Sequence, residues 1–468
     1  MGVIRFGTDG WRARMGREFS FNNVRIFTQA YFNYLSRKYA GKELNVLVNY
    51  DTRFLSKQFA AETSKMFSLL GVKTIVPIRD APLPAVSLAT IHNRCSGAIN
   101  FTASFNKPIF NGIKVFDHRG APSLPTETNL IEKEVDKIQS DFKFKPQYPV
   151  TELIENIDVR NNYIDYIENI IDFDLIRNSG IVIAVDNLYG SSREYLDYVL
   201  SKNEVEIESI HNFPYSSFGA VIPSCSEENL RGLSQLVGEK KADIGLATDI
   251  DGDRFGIVDA RGRYISANMI IPPLIEYLIT IRKMEGGIVK SLSTTEYIQR
   301  VADHYLRKVY TTPVGFKYVA EMLSKRKTFI GVESTNGASL NKGITIKDGI
   351  LFNLLVTEML AYYKRDIDKI LRNFSMKFSK LVDREISVKA TNTRKRKYSD
   401  LMKNPHIRVN GYKPKEVVLD DGIKFILEDS WLLLRESGTD ELIRISDVDC
   451  AFYLYHYPDI LFWRGWDT

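Results

Sequence analysis

Four sets of polar loops hold the residues whose types and spacing could do chemistry. In the first, Thr102–Lys114, Ser104 follows the β-rich run Gly97–Phe101, while Pro108 and Asn111-Gly112 keep the loop out of helix or continuous strand. A serine at a strand end, among free backbone N–H groups, can carry or meet a phosphate; alone it reads equally well as a helix cap or a turn serine. The second loop, Thr248–Arg254, sets Asp249, Asp251 and Asp253 at alternate positions, so the three carboxylates project the same way. Three convergent anions call for a cation, and hard oxygen ligands select Mg²⁺ or a similar ion. An EF-hand is excluded, because the sixth position from Asp249 is Arg254 rather than Gly and the twelfth is Ala260 rather than Glu. In the third, Arg435 stands beside Ser437, Gly438 and Thr439, which offer charge, hydroxyls and backbone N–H groups for a phosphate dianion. The fourth set, Thr311–Lys317 and Gly331–Gly337, carries Lys317 as a point charge and Glu333 and Thr335 as hydrogen-bonding groups for sugar hydroxyls.

The elements that must position these loops alternate strand and helix. Leu44–Asn49 reads as a buried strand, followed by a helix capped by Ser56 that runs to Leu70 and stops at Gly71. Strand Val72–Ile78, helix Pro84–Ile91 and strand Gly97–Phe101 complete a βαβ-type round. A second round runs through strands Ile181–Asp186, Val205–Ile210 and Ile244–Ala247, with helices Tyr163–Ile171, Arg193–Leu200 and Glu227–Glu239. A third has helices Asn268–Ile281, Thr294–Leu306 and Gly315–Leu323 with strands Gly287–Lys290 and Phe329–Val332. Short strands, Ile423–Leu427, Trp431–Leu434 and Leu442–Ile445, mark the final stretch as an α+β appendage. The expected fold is α/β: three similar mixed domains around a central cleft, at 1–150, 151–261 and 262–370, plus a C-terminal α+β domain at 371–468. Each of the three rounds ends in a strand that runs into a polar loop, and open parallel sheets bind ligands at the carboxyl ends of their strands.

Composition sets limits. With 63 basic and 58 acidic residues the chain carries a mild +5, which suits a small anionic substrate. The dense run Arg394–Lys397 has no interleaved aromatics and reads as a solvated loop, so no nucleic-acid partner is expected. No apolar run approaches the ~20 residues of a membrane span, and the N-terminus lacks the apolar core of a signal peptide. Cys95, Cys225 and Cys450 are far apart and lack metal spacing, which fits a reducing cytoplasm.

Together and in this order, the loops resemble the α-D-phosphohexomutase family of phosphoglucomutases and phosphomannomutases. The likeness begins at Phe6–Arg12, passes through the Ser104 and aspartate loops and ends at Arg435–Arg444. It implies that Ser104 is a phosphoserine and that one Mg²⁺ is held by its phosphate with Asp249, Asp251 and Asp253. It further implies transfer to a hexose monophosphate through a hexose 1,6-bisphosphate, which is both intermediate and activator. Arg12 or Arg254 would meet the transferring oxygens, Lys114, with a lowered pKa, would take the hydroxyl proton, and the Arg435–Arg444 segment would hold the phosphate that is not reacting. Thr312–Lys317 looks like the phosphoglucomutase type, so glucose phosphate is the first expectation, mannose phosphate next, and an amino-sugar phosphate or a catalytically weakened sugar-phosphate-binding paralogue the alternatives. A monomer or homodimer is expected. The chain departs from the family pattern at Phe105, where the family has His, and at Lys107, Val332, Glu436 and Asp440.

Overall fold

The computed structural model describes residues 4–139, 142–145, 147–379, 383–405, 413–427, 430–436 and 442–448. Four sheets follow one another along the chain. The first has six strands in the order Trp11–Arg14, Phe110–Phe116, Gly97–Phe101, Asn45–Tyr50, Lys73–Pro77, Ile154–Ile157. The second orders Tyr264–Ile265, Phe255–Asp259, Ile244–Thr248, Ile183–Asp186, Ile207–Ile210, and the third Val309–Thr312, Gly287–Ser291, Thr328–Glu333, Gly337–Leu340.

Each of these three sheets has a parallel centre and one return strand that matters for function. Gly97–Phe101 pairs antiparallel with Phe110–Phe116, Ile244–Thr248 with Phe255–Asp259, and Thr328–Glu333 with Gly337–Leu340. The polar loops of Ser104, of the three aspartates and of Glu333 are therefore the connections of three hairpins. A hairpin fixes both ends of its loop by ladder hydrogen bonds, a firmer mount than an open loop. The fourth sheet is wholly antiparallel, in the order Asp383–Lys389, Leu442–Val448, Trp431–Glu436, Ile423–Ile426, Glu416–Val418. The fold is thus mixed α/β with a further sheet domain at the C-terminus.

The core follows from strands that are apolar along their whole length. Ile244–Thr248 and Gly287–Ser291 are buried at every position, as strands covered on both faces must be. One apolar cluster runs from Leu47 and Ile75 through Ile183 and Ile330 to Trp431 and Leu433, so residues of all four sheets share it. The helix Gly349–Tyr363 lies inside this cluster, apolar almost all round and capped by Asp348, whose side chain accepts from Leu351 N–H.

Several local expectations are corrected. Ser56 does not cap its helix: the buried Asp51 needs donors, the Ser56 hydroxyl gives it one at 2.7 Å, and Leu55 takes the cap position at φ 63°. The Arg394–Lys397 run lies on a helix, Asn392–Lys403, because Thr391 accepts from Arg394 N–H and starts it. The first sheet extends past residue 150, since Ile154–Ile157 pairs parallel with Lys73–Pro77 and becomes the edge strand on that side.

Candidate active site

Ser104 sits in the first hairpin loop at φ 48°, the left-handed region, with no exposed surface. Its N–H donates to Thr102 Oγ1 at 2.8 Å, and its Oγ stands 3.5 Å from Asp251 Oδ1. Asp249, Asp251 and Asp253 come from the second hairpin. Gly252, at φ 69°, permits the tight turn, and its α-carbon faces Ser192 and Pro82 so closely that no side chain fits. All three carboxylates are buried and can place oxygens within 4.8 Å of one another; among the described residues they alone form such a cluster. Unit charges ~4 Å apart interact by about 4 kcal/mol at an effective dielectric of ~20, so the cluster is strongly self-repelling.

The surroundings answer that repulsion with cations. Lys114 Nζ lies 2.9 Å from Asp251 Oδ2, 3.2 Å from Asp253 Oδ2 and 3.0 Å from Asp9 Oδ2, and Lys347 Nζ lies 3.1 Å from Asp253 Oδ2. Burial would raise the Asp253 carboxyl, but Lys114, Lys347 and Arg254 hold it below the ordinary value. Asp249 goes the other way, pushed well up by burial and by its two neighbours in the triad. Asp249 Oδ2 and Asp253 Oδ1 remain buried without hydrogen-bond partners. A set of three buried carboxylates with two oxygens still lacking hydrogen-bond partners fits a hard divalent cation.

Lys114 differs from expectation. Burial alone would lower its amine, yet the carboxylates of Asp251, Asp253 and Asp9 outweigh it and hold the group well above the ordinary lysine value. In this arrangement Lys114 rests as a cation and is placed to donate a proton first.

The cleft, with an empty volume of about 1060 Å³ that includes open solvent, gathers side chains from all four sheets. Arg12, Lys114, Asp253, Arg254, Lys317, Glu333, Thr335, Arg435 and Arg444 line it, so these sequence-predicted residues converge. Ser104, Asp249 and Asp251 do not line it; they are buried, while Phe105 and Lys114 form part of the wall. Ser437, Gly438 and Thr439 lie outside the described residues. Arg12 donates to Asn106 Oδ1 at 2.8 Å and to Asp9 Oδ2 at 3.2 Å. Burial raises the Glu333 carboxyl against the pull of Lys347 and Arg254, and burial lowers the Lys317 amine.

Arg435 and Arg444 are direct partners across neighbouring antiparallel strands. Like charges placed opposite one another are destabilising, and an anion between them removes that penalty. Asp421 Oδ2 accepts from Arg435 Nε at 3.0 Å and also from Val314 N–H at 2.9 Å, which ties the last domain to the Thr311–Lys317 loop.

Asp9 and Lys347 are not singled out by the sequence. Asp9 lies within the Phe6–Arg12 stretch, three residues before its partner Arg12, and Lys347 just before the Asp348 helix cap, but the partners that bring them to the aspartates, Lys114 and Asp253, are remote in sequence.

Three family models match the chain: phosphoglucomutase/phosphomannomutase alpha/beta/alpha domain I over residues 3–142, domain II over 161–262 and domain III over 267–378. A phosphoglucomutase/phosphomannomutase of Thermococcus kodakarensis is 28% identical over 448 residues, covering 94% of this chain and 93% of its own. A phosphoglucosamine mutase of Campylobacter curvus is also 28% identical, over 449 residues, covering 94% and 93%. A crystal structure of a protein from Thermus thermophilus that carries the phosphomannomutase name superposes with a TM-score of 0.82 at 27% identity, covering 95% of each chain.

Proposed function

This chain belongs to the α-D-phosphohexomutase family, enzymes that transfer phosphate within a sugar phosphate, and we propose that it interconverts hexose 1-phosphate and hexose 6-phosphate. Glucose phosphate is the proposed first substrate and mannose phosphate the next. The observation that carries this reading is the Arg435–Arg444 pair on the same cleft as Lys114, which shares Asp251 with the buried Ser104. A mutase needs a seat for each of two phosphates, and a phosphatase needs only one.

In the proposed reaction Ser104 carries the phosphoryl group. Its P–O bond to Oγ breaks, a new bond forms to a sugar hydroxyl oxygen, and the hydroxyl proton ends, net, on the Ser104 oxygen. The resulting hexose 1,6-bisphosphate turns over in the cleft and returns its other phosphate to Ser104. Asp249, Asp251 and Asp253, with the Ser104 phosphate, would hold Mg²⁺, which when bound neutralises charge on the transferring oxygens. Arg12 and Arg254 steady those oxygens, and Lys114 supplies the proton to Ser104 Oγ in one direction and recovers it in the other. Arg435 and Arg444, with Ser437, Gly438 and Thr439, grip the phosphate at rest. Lys317, Glu333 and Thr335 orient the sugar.

The test is a panel of glucose, mannose and glucosamine 1- and 6-phosphates, with Mg²⁺ and a trace of glucose 1,6-bisphosphate, run beside Ser104→Ala. Interconversion by the native chain and none by the variant is expected; inorganic phosphate as the main product from every sugar would overturn the reading. The amino-sugar alternative rests on the equally similar phosphoglucosamine mutase, and the Thr312–Lys317 loop favours glucose over it. The weakened-paralogue alternative rests on Phe105; a Ser104 phosphate, seen by intact mass and discharged by substrate, argues against it.

A further inference from the structure

Ser104 lies in a loop whose backbone is held by a side chain with no role in the chemistry above. Arg53, just after the strand Asn45–Tyr50, is 3% exposed. Its guanidinium donates to four main-chain carbonyls of the serine loop: to Ser104 O and to Asn106 O at 2.5 Å through one nitrogen, and to Lys107 O at 3.0 Å and Phe110 O at 3.1 Å through the other. Asp51 Oδ2 stands 3.4 Å from Arg53 Nε, while Asp51 Oδ1 accepts from the Ser56 hydroxyl and from Arg53 N–H. A planar fork of donors can satisfy several carbonyls at fixed angles, which a lysine cannot do.

The loop needs such a brace. Ser104 holds a left-handed backbone that a residue with a side chain adopts only when its surroundings impose it. Without Arg53 the loop's carbonyls would turn to water, and the serine is sealed from water. A second layer comes from the next domain. The Phe218 ring, fully buried, lies 5.1 Å from Arg53 Cζ. It reaches that place through its own left-handed backbone, φ 53°, followed by Gly219 at φ 59° against the Tyr189 hydroxyl.

We propose that Arg53 is the positioning residue for Ser104, and that Phe218, from the second domain, locks Arg53 so that the nucleophile loop takes its working geometry only with that domain docked. The inference rests on the mutase reading in so far as Ser104 is the group that carries phosphate. Neither residue stands out in the sequence, since an Asp-x-Arg pair after a strand is an ordinary turn and Phe218 is remote from Arg53 along the chain.

The experiment uses the full chain with Arg53→Lys, Arg53→Met and Phe218→Leu. Turnover of glucose 1-phosphate gives kcat and KM, thermal melting reports the fold, and amide exchange is followed over residues 103–112. Misplacing a reacting group by about 1 Å costs roughly 10²-fold, and that loss of kcat is expected for Arg53→Lys, with KM within ~threefold of native. Phe218→Leu is expected to lose about tenfold in kcat, in line with one desolvated cation–π contact. Exchange over 103–112 should quicken in all three variants while the strand Asn45–Tyr50 stays protected. Native kcat in Arg53→Lys with unchanged loop exchange overturns the proposal, as does a fall in kcat matched by an equal rise in KM. Should loss of the guanidinium unfold the chain, Phe218→Leu decides, because it leaves every hydrogen bond of Arg53 in place. Inactivity of the native chain on every sugar phosphate sinks the mutase reading, and loop exchange then decides on Arg53 alone.

Discussion

Phe105 lies under two guanidiniums, Arg254 Cζ at 4.4 Å from its ring centroid and Arg12 Cζ at 5.3 Å. Where the family pattern puts an imidazole, this chain has an aromatic ring that cannot carry a proton but can hold two cations against the cleft. A partly desolvated cation–π contact contributes about 0.5–2 kcal/mol, and Phe105→Leu is expected to lower kcat/KM for the hexose phosphate by at least the equivalent of one such contact, roughly 3–30-fold. Phe105→Tyr should recover most of the loss, and steady-state kinetics on the two variants checks it. A second prediction concerns Asp348. Burial raises its carboxyl from the ordinary value to about 7, against the hydrogen bonds it accepts from Leu351 and Tyr163. Because the folded value lies above the unfolded one, the folded state binds more protons, and this stability is present at acid pH and lost as pH rises toward 7. Asp348→Asn keeps both accepted bonds without the charge, so its melting temperature should vary less than the native one between pH 4 and 7.

At the scale of elements, the three hairpins explain what was legible and what was not. An apolar strand running into a polar loop is visible in the letters, which is why Ser104, the aspartates and Glu333 could be picked out. The return strand Phe110–Phe116 was not visible, because Asn111 and Lys114 are polar yet buried in the site, and they break the alternation that marks a strand. The helix Gly349–Tyr363 was missed for the opposite reason: apolar on every side, it has no periodic face. The contacts that Arg53, Asp9 and Lys347 make with the serine loop, Lys114 and Asp253 span distances in sequence that leave no local signature. The link between the Thr311–Lys317 loop and Arg435 through Asp421 is of that kind, and it predicts a division of labour. Hydrogen bonds to charged groups contribute about 1.5–3 kcal/mol, so Asp421→Ala is expected to raise KM for the sugar phosphate by roughly 10–100-fold. Its kcat should change far less, since Ser104, the proposed phosphate carrier, belongs to another loop.

For the whole molecule, the seam between the first two domains is closed by a buried ion pair. Arg193 donates to Asp80 Oδ2 at 2.7 Å and Oδ1 at 2.5 Å, with both side chains under a tenth exposed. Removing one partner leaves a buried charge alone, which costs about 3–5 kcal/mol, so Arg193→Met should lower the stability of the chain by that order in denaturant unfolding. The shared core predicts that the first two domains unfold together rather than one by one, because Leu47 and Ile183 lie in one apolar cluster.

The sealing of Ser104 bears on what happens to the enzyme between turnovers. Ser104 has no exposed surface, so in the mutase proposed above a phosphoryl group on its Oγ would be shielded from a general phosphatase. Such a phosphoryl group would be a store for a seated sugar to draw on, and intact mass after dialysis and long incubation without substrate is expected to retain it. Idle time would then not disarm such an enzyme.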